Sequence, residues 1–271
     1  MTATAHPSPG AAAQAWTRDL AAWRIPDDIL AVAPQSPWIH PVEQFLITDA
    51  PIADTPSHVR ARERLADGGT VLDVGCGGGR AAFAVSPPAT SVIGVDHQDG
   101  MLTAFADAAE RRGLAHTEVL GDWPQVKDST PVADAVACHH VVYNVADLTA
   151  FVTALSTHAR RRVVLELPQH HPLAGMTPLW RHFWDLERPD GPTATDALAV
   201  VREAGFDAEL EPWLENPATR GLQEVTPERQ AEFMRIRLCL PAARQAEVAD
   251  VLATLPVAPR HLATIWWDTD R

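Results

Sequence analysis

Lysine and tyrosine each occur once in this sequence, as Lys127 and Tyr143. Nearly all of the 22 basic residues are therefore arginine; 35 acidic residues outnumber them, and the formal net charge is −13. No basic tract offsets that charge locally, which argues against nucleic acid as a partner and leaves a small molecule. No apolar run reaches membrane-spanning length, and the opening MTATAHPSPGAAAQAW has neither a basic start nor a long apolar stretch behind it. The expectation is a cytoplasmic protein with no membrane partner. Cysteine is scarce too. Cys76, Cys138 and Cys239 lie far apart without a C-x-x-C pair, which argues against a disulfide framework and a cysteine zinc site, and no metal is expected. Composition leaves a homodimer open.

What is present suffices for one sizeable core with a small appended cap: 46% of the 271 residues are hydrophobic. Residues 1–15, small and proline-containing, read as disordered. Residues 16–67 read as a helical cap, in which patterns such as AWTRDLAAW and HVRARERLAD are interrupted by Pro26, Pro34, Pro37, Pro41, Pro51 and Pro56. At Gly68-Gly69 the texture changes. The runs TVLDVG, TSVIGVD, HTEVLG, ADAVACH and RRVVLEL alternate with helix-like segments, which predicts a parallel sheet covered on both faces, in a domain over 68–271. A helix is expected over Thr193–Ala204, then strands in FDAELEPWLE and LATIWWDT. The long connection between those strands, about 222–258, holds two helical patterns and reads as an insertion.

The stretch VLDVGCGGGR, residues 71–80, carries the most chemistry. Asp73 ends a strand. Gly75, Gly77 and Gly79 allow a tight turn, a close approach of backbone to ligand and entry into a helix, with the small Cys76 between them. The spacing is G-x-G-x-G: Arg80 stands where a dinucleotide fingerprint needs its third glycine, and no lysine follows as a phosphate-cradling loop requires. Asp96 closes the next strand, where a carboxylate can accept from a ribose diol. Asp122 follows the third strand and can accept from an exocyclic amine, with Trp123 offering a flat apolar wall. A glycine loop and three carboxylates in this order fit an adenosine-containing ligand without a pyrophosphate.

VLDVGCGGGR, GVDHQDGML, GDWPQV, DAVACHHVVYNVADLTAF and RRVVLELP together resemble the successive motifs of class I S-adenosylmethionine-dependent methyltransferases, over roughly residues 60–210. The resemblance implies a Rossmann-like, doubly wound seven-stranded α/β sheet with its last strand antiparallel, and S-adenosyl-L-methionine as cofactor. It implies that Asp73, Gly75, Cys76, Gly77 and Gly79 surround the methionine part, that Asp96 and the neighbouring His97 meet the ribose, and that Met101 or Leu102 packs on adenine. Asp122 and the Trp123 amide would read the adenine edge, and Cys138 and His139 would lie under the sulfonium.

Methyl transfer asks little of side chains beyond alignment, exclusion of water and, for a protic nucleophile, a base. Candidates at the carboxyl edge of the sheet are His139, His140, Tyr143 and Asn144, then Glu166, Gln169, His170 and His171. His140 and His171 are the expected bases. Alternation along a strand would send neighbouring histidines to opposite faces, so each His-His doublet is expected to give one ligand at most, against a metal centre. Tyr143, Asn144, His170, Trp180 and Trp184 are candidate acceptor contacts, and Trp180, Phe183 and Trp184 fall on one helical face. With Trp16, Trp23 and Trp38 from the cap they could form an aromatic lid, which favours an apolar or aromatic acceptor methylated on oxygen, nitrogen or carbon. Arg235 and Arg237 could meet an acceptor carboxylate. No N-P-P-[YFW] tetrapeptide or Pro-Cys dipeptide is present, which argues against methylation of base amines or of base C5. A donor-binding protein without transferase activity and a protein methyltransferase are the alternatives.

Overall fold

The computed structural model describes residues 10–38, 42, 45–47, 52–65, 68–215, 226–256 and 259–269. Residues 1–9 of the expected disordered start, and 222–225 and 257–258 of the expected insertion, lie outside the described residues.

Seven strands form one sheet in the order β3-β2-β1-β4-β5-β7-β6. They are β1 (Thr70–Val74), β2 (Ser91–Asp96), β3 (Ala115–Leu120), β4 (Ala133–His139), β5 (Ala159–Pro168), β6 (Glu209–Leu214) and β7 (His261–Asp268). The first five are parallel, while β7 runs antiparallel to both β5 and β6. Each lies within or next to the apolar run expected to form it. The central strands are buried on both faces, as β1 shows: four of its five residues are inaccessible. The register sets Asp73 beside Gly94 and His139 beside Glu166, so the carboxyl edges of β1, β2, β4 and β5 share one rim.

Ten helices accompany the sheet among the described residues: α1 (Ala11–Ala21), α2 (Asp27–Ala31), α3 (Pro56–Arg62), α4 (Arg80–Ala84), α5 (Asp99–Arg111), α6 (Leu148–His158), α7 (Thr177–Trp184), α8 (Ala194–Glu203), α9 (Pro227–Arg237) and α10 (Gln245–Thr254). None is long and apolar enough to cross a membrane. Helix α1 starts at Ala11, inside the stretch expected to be disordered. The cause is long-range: the carboxylate of Glu203, on α8, accepts the Ala12 and Ala13 N–H groups at 3.1 and 3.0 Å, so an acid from another helix caps α1. Trp16 is then fully buried in the main core and donates its Nε1–H to the Val145 carbonyl at 2.8 Å, so it is not part of a lid.

A second apolar cluster joins Ile25 and Ile29 of the N-terminal segment to Leu179, Trp180 and Phe183 of α7, and to Ala231, Leu240 and Val248 around α9 and α10. Three stretches distant in sequence thus build one helical lobe, including the insertion between β6 and β7.

Candidate functional site

The glycine loop leaves β1 and turns through positive φ at residues 75, 77 and 79, at 72°, 50° and 89°. Two consecutive amides, Gly75 and Cys76, donate to the Val95 carbonyl at 2.8 and 3.0 Å and tie the loop to β2. Asp96 completes the tie: its Oδ2 accepts the Gly77 N–H at 3.0 Å and its Oδ1 the Gln98 N–H at 2.9 Å. Each of these oxygens keeps a further lone pair, the capacity a ribose diol would use. Asp73 sits deeper. It is 1% exposed and accepts the Ala82 N–H at 3.1 Å, capping the first turn of α4. Burial raises its pKa to about 7, the Ala82 hydrogen bond opposes the rise, and the Asp96 charge adds to it. Asp73 therefore shapes the glycine turn from beneath.

Other residues expected around the cofactor fall at the same rim. His97 and Asp122 are exposed. Met101 is buried, and Leu102 joins a cluster with Cys76, Phe83 and Phe105. The Trp123 ring meets His158 edge-on at 4.8 Å, and its Nε1 is buried without a partner. Cys138 is fully buried in the main core, where burial and the charge of Asp73 push its thiol pKa well up.

Within the expected cap, no pattern singled out Val42 and Phe45, which overlie the loop. A Cβ at Gly78 would lie 2.1 Å from the Phe45 carbonyl oxygen, one at Gly77 would touch the Phe45 ring at 3.5 Å, and one at Gly100 would meet Val42 at 3.3 Å. Gly78, which the G-x-G-x-G pattern leaves unspecified, is needed for this close approach.

At the ends of β4 and β5, His139, His140 and Glu166 come together. His140 adopts a left-handed conformation, φ 62°. Strand alternation breaks there, and both imidazoles reach the same Glu166 Oε1, His140 Nε2 at 3.2 Å and His139 Nδ1 at 3.8 Å. The expectation that the two rings point to opposite faces fails for this backbone reason, while only His139 of the doublet joins a group that could hold a metal. The His140 N–H also donates to the Glu166 carbonyl at 2.7 Å. Two residues of the N-terminal segment complete the group: Thr55 Oγ1 donates to Glu166 Oε2 at 3.0 Å, and the His58 ring stacks on His139 at 5.7 Å. Burial opposes ionisation of Glu166, yet the hydrogen bond from His140 counters it, and its pKa lies below the usual carboxylate range. Burial pushes His139 down to about 3, only partly offset by Glu166, and lowers His58 for the same reason.

His58, His139 and Glu166 lie close enough, within 4.8 Å of one another, to hold a metal ion. Their hydrogen bonding argues for a different use. His58 Nδ1 accepts the Thr55 N–H at 3.2 Å, so the neutral ring carries its proton on Nε2; a ligating histidine instead donates its second ring N–H. The group is better suited to holding and moving a proton.

His171, the other expected base, is elsewhere. It is buried, stacks on Trp23 at 4.0 Å, meets Tyr143 edge-on at 5.3 Å, and accepts the Leu173 N–H through Nδ1. Burial, then the charge of Arg188, pushes its pKa down to about 3, which makes it a poor proton acceptor. Tyr143 is buried and donates to the Pro168 carbonyl at 2.9 Å; burial raises its phenol pKa. Asn144 is exposed and does not cap the next helix; Asp147 does, accepting the Ala150 N–H at 3.0 Å. His170 is exposed and bridges to Thr193. Trp180 is fully buried in the helical lobe, and Trp184 donates to the Leu238 carbonyl at 2.8 Å. Trp38 is 51% exposed. Arg235 and Arg237 turn inward onto carbonyls of Leu240 and Pro37, respectively.

Residues 71–161, which hold the glycine loop, Asp96 and the His139-His140 doublet, match the family described as methyltransferase domain. Over that stretch, about a third of the chain, the sequence is similar to a methyltransferase domain. Over 88 residues it is 35% identical to ribosomal protein L11 methyltransferase of Aliivibrio salmonicida, covering 32% of this chain and 30% of that one. Over 103 residues it is 33% identical to an uncharacterized protein of Haemophilus influenzae, covering 37% and 38%. These matches span about a third of the length of the curated relatives. Among solved structures, the [4+2]-cyclase SpnF aligns over 96% of both chains with a TM-score of 0.51 and 18% identity, a likeness of fold.

Proposed function

We propose that this protein transfers a methyl group from S-adenosyl-L-methionine to an oxygen, nitrogen or carbon atom of a small, apolar or aromatic acceptor. The observation that carries this reading is one rim bearing two arrangements: a glycine loop tied to Asp96, and, two strands away, a buried carboxylate paired with a histidine. The chain's residues fit the donor. Asp96 retains acceptor capacity for the ribose, the loop turns through positive φ at 75, 77 and 79, and Arg80 stands where a dinucleotide fingerprint needs its third glycine. When bound, the donor supplies a methyl already activated by its sulfonium.

The protein's part is then to position the acceptor and remove a proton where the acceptor has one. Glu166 orients His140 through Nε2 and stabilises the charge the imidazole gains, as a carboxylate does behind a general base. Thr55 fixes the other Glu166 oxygen, and His139 remains neutral beside it. The test is incubation with methyl-labelled S-adenosylmethionine and a panel of phenols, aromatic amines and aromatic acids. Label should enter a small acceptor with the native protein and drop by about 10²–10⁴-fold with His140→Gln if the acceptor is protic. Label in no small molecule, with donor bound, would instead support a donor-binding protein without transfer.

A further inference from the structure

The helical lobe holds a buried cation that no acid among the described residues neutralises. Arg188, in the connection between α7 and α8, is 7% exposed. Among the described residues it pairs with no carboxylate. Burial alone shifts its pKa, downward. The end of its guanidinium is taken by two consecutive carbonyls: Nη2 donates to Trp23 and Nη1 to Arg24, the latter at 3.3 Å. The side of the group is not. Nε–H is buried without a partner, and Trp180 Nε1, in the same lobe, is a second buried donor lacking one. A buried unpaired guanidinium is costly, and an orphaned N–H beside it adds a further desolvation penalty.

The surroundings of this group reach the segment just beyond β5. Arg188 lies over the faces of both Trp23 and Trp180, at 5.0 and 5.2 Å from the ring centres. Trp23 stacks on His171, three residues beyond β5, and is pinned by its Nε1–H to the Gly191 carbonyl at 2.7 Å. His171 carries its remaining ring proton on Nε2, because Nδ1 accepts from Leu173. Aromatic faces and unused N–H donors around one fixed positive charge form a recognition set for a flat acid.

We infer that Arg188 is the anchor of an acceptor subsite for a carboxylate, held by the free side of the guanidinium between Trp23 and Trp180. Nε–H and the neighbouring Nη2 proton form a planar fork that matches a carboxylate, and the bound anion removes the cost of the unpaired charge. This rests on the reading of the rim as an acceptor site and narrows the acceptor to an aromatic carboxylic acid.

Benzoate and its uncharged counterpart benzamide are the probes, titrated without methyl donor so that binding is read apart from transfer. Native protein should bind benzoate at least about 10-fold more tightly than benzamide. Arg188→Met, which fills the space without the charge, should lose that preference. Equal binding of the two probes, binding of neither, or an unchanged preference in Arg188→Met would overturn the inference. If Arg188→Met fails to fold, the comparison of the two probes on native protein decides alone. Benzoate binding with label entering no small molecule would sink the transferase reading and leave the subsite standing.

Discussion

His140 and Glu166, on neighbouring strands, are joined twice: main-chain N–H to carbonyl at 2.7 Å, and Nε2 to Oε1 at 3.2 Å. The first bond places the second. A left-handed φ at His140 swings its ring out of the strand's alternation, and the backbone bond holds it there against the cost of that conformation, about 1 kcal/mol.

Replacing Glu166 by Gln keeps the shape and removes the anion. Turnover of a protic acceptor should fall about 10–100-fold, while affinity for S-adenosylhomocysteine stays within about two-fold, since Glu166 has no place in the donor loop. Rates and calorimetry on the same preparation check this. Equal loss of both would mean the substitution damaged the fold.

Two kinds of buried group give opposite pH slopes. Asp73 has its folded pKa raised to about 7, so its contribution to stability is fully present below its unfolded value of 3.8 and is lost as pH rises through 7. Asp73→Asn, which retains an acceptor for Ala82, should therefore gain stability relative to native protein between pH 5 and 8, by about 2–4 kcal/mol at the upper end. Urea melts at both pH values test it, and a gain that is flat with pH would contradict the buried-carboxyl account.

His139 and His171 behave in the reverse sense. Their folded pKa values of about 3 lie below the unfolded 6.5, so the unfolded chain binds more protons between those limits and stability falls as pH drops from 6.5. His139→Gln and His171→Gln should each flatten the acid limb of the stability profile. An unchanged limb in both would show that these rings are solvated.

Gly78→Ala tests the segment over the loop. The new Cβ would lie 2.1 Å from the Phe45 carbonyl oxygen, so backbone must move. We expect a loss of about 1–3 kcal/mol in denaturant melts and faster proteolytic cleavage near Phe45. Neither change would mean that this contact carries no stability.

The sheet and the glycine turn were legible because both are written locally. Apolar runs such as TVLDV and SVIGVD must be buried on two faces, and G-x-G-x-G leaves a turn few ligands use. The start of α1 was not, since its cap, Glu203, lies 190 positions away in the chain from Ala13. Thr55 and His58 were invisible for the same reason, with Thr55 meeting Glu166 across 111 positions. The choice between His140 and His171 depended on a positive φ and on a stacked tryptophan, neither of which spacing encodes. Nothing local in the sequence marks Arg188, whose burial without an acid partner among the described residues is set by the fold.

Calorimetric titration with S-adenosylhomocysteine, on native protein and on Asp96→Ala, tests the donor site most directly. The account predicts micromolar binding to the native chain that is lost in the variant, because Asp96 both ties the glycine loop through Gly77 and offers the ribose acceptor. Absence of binding to the native protein, or equal binding by both, would contradict it.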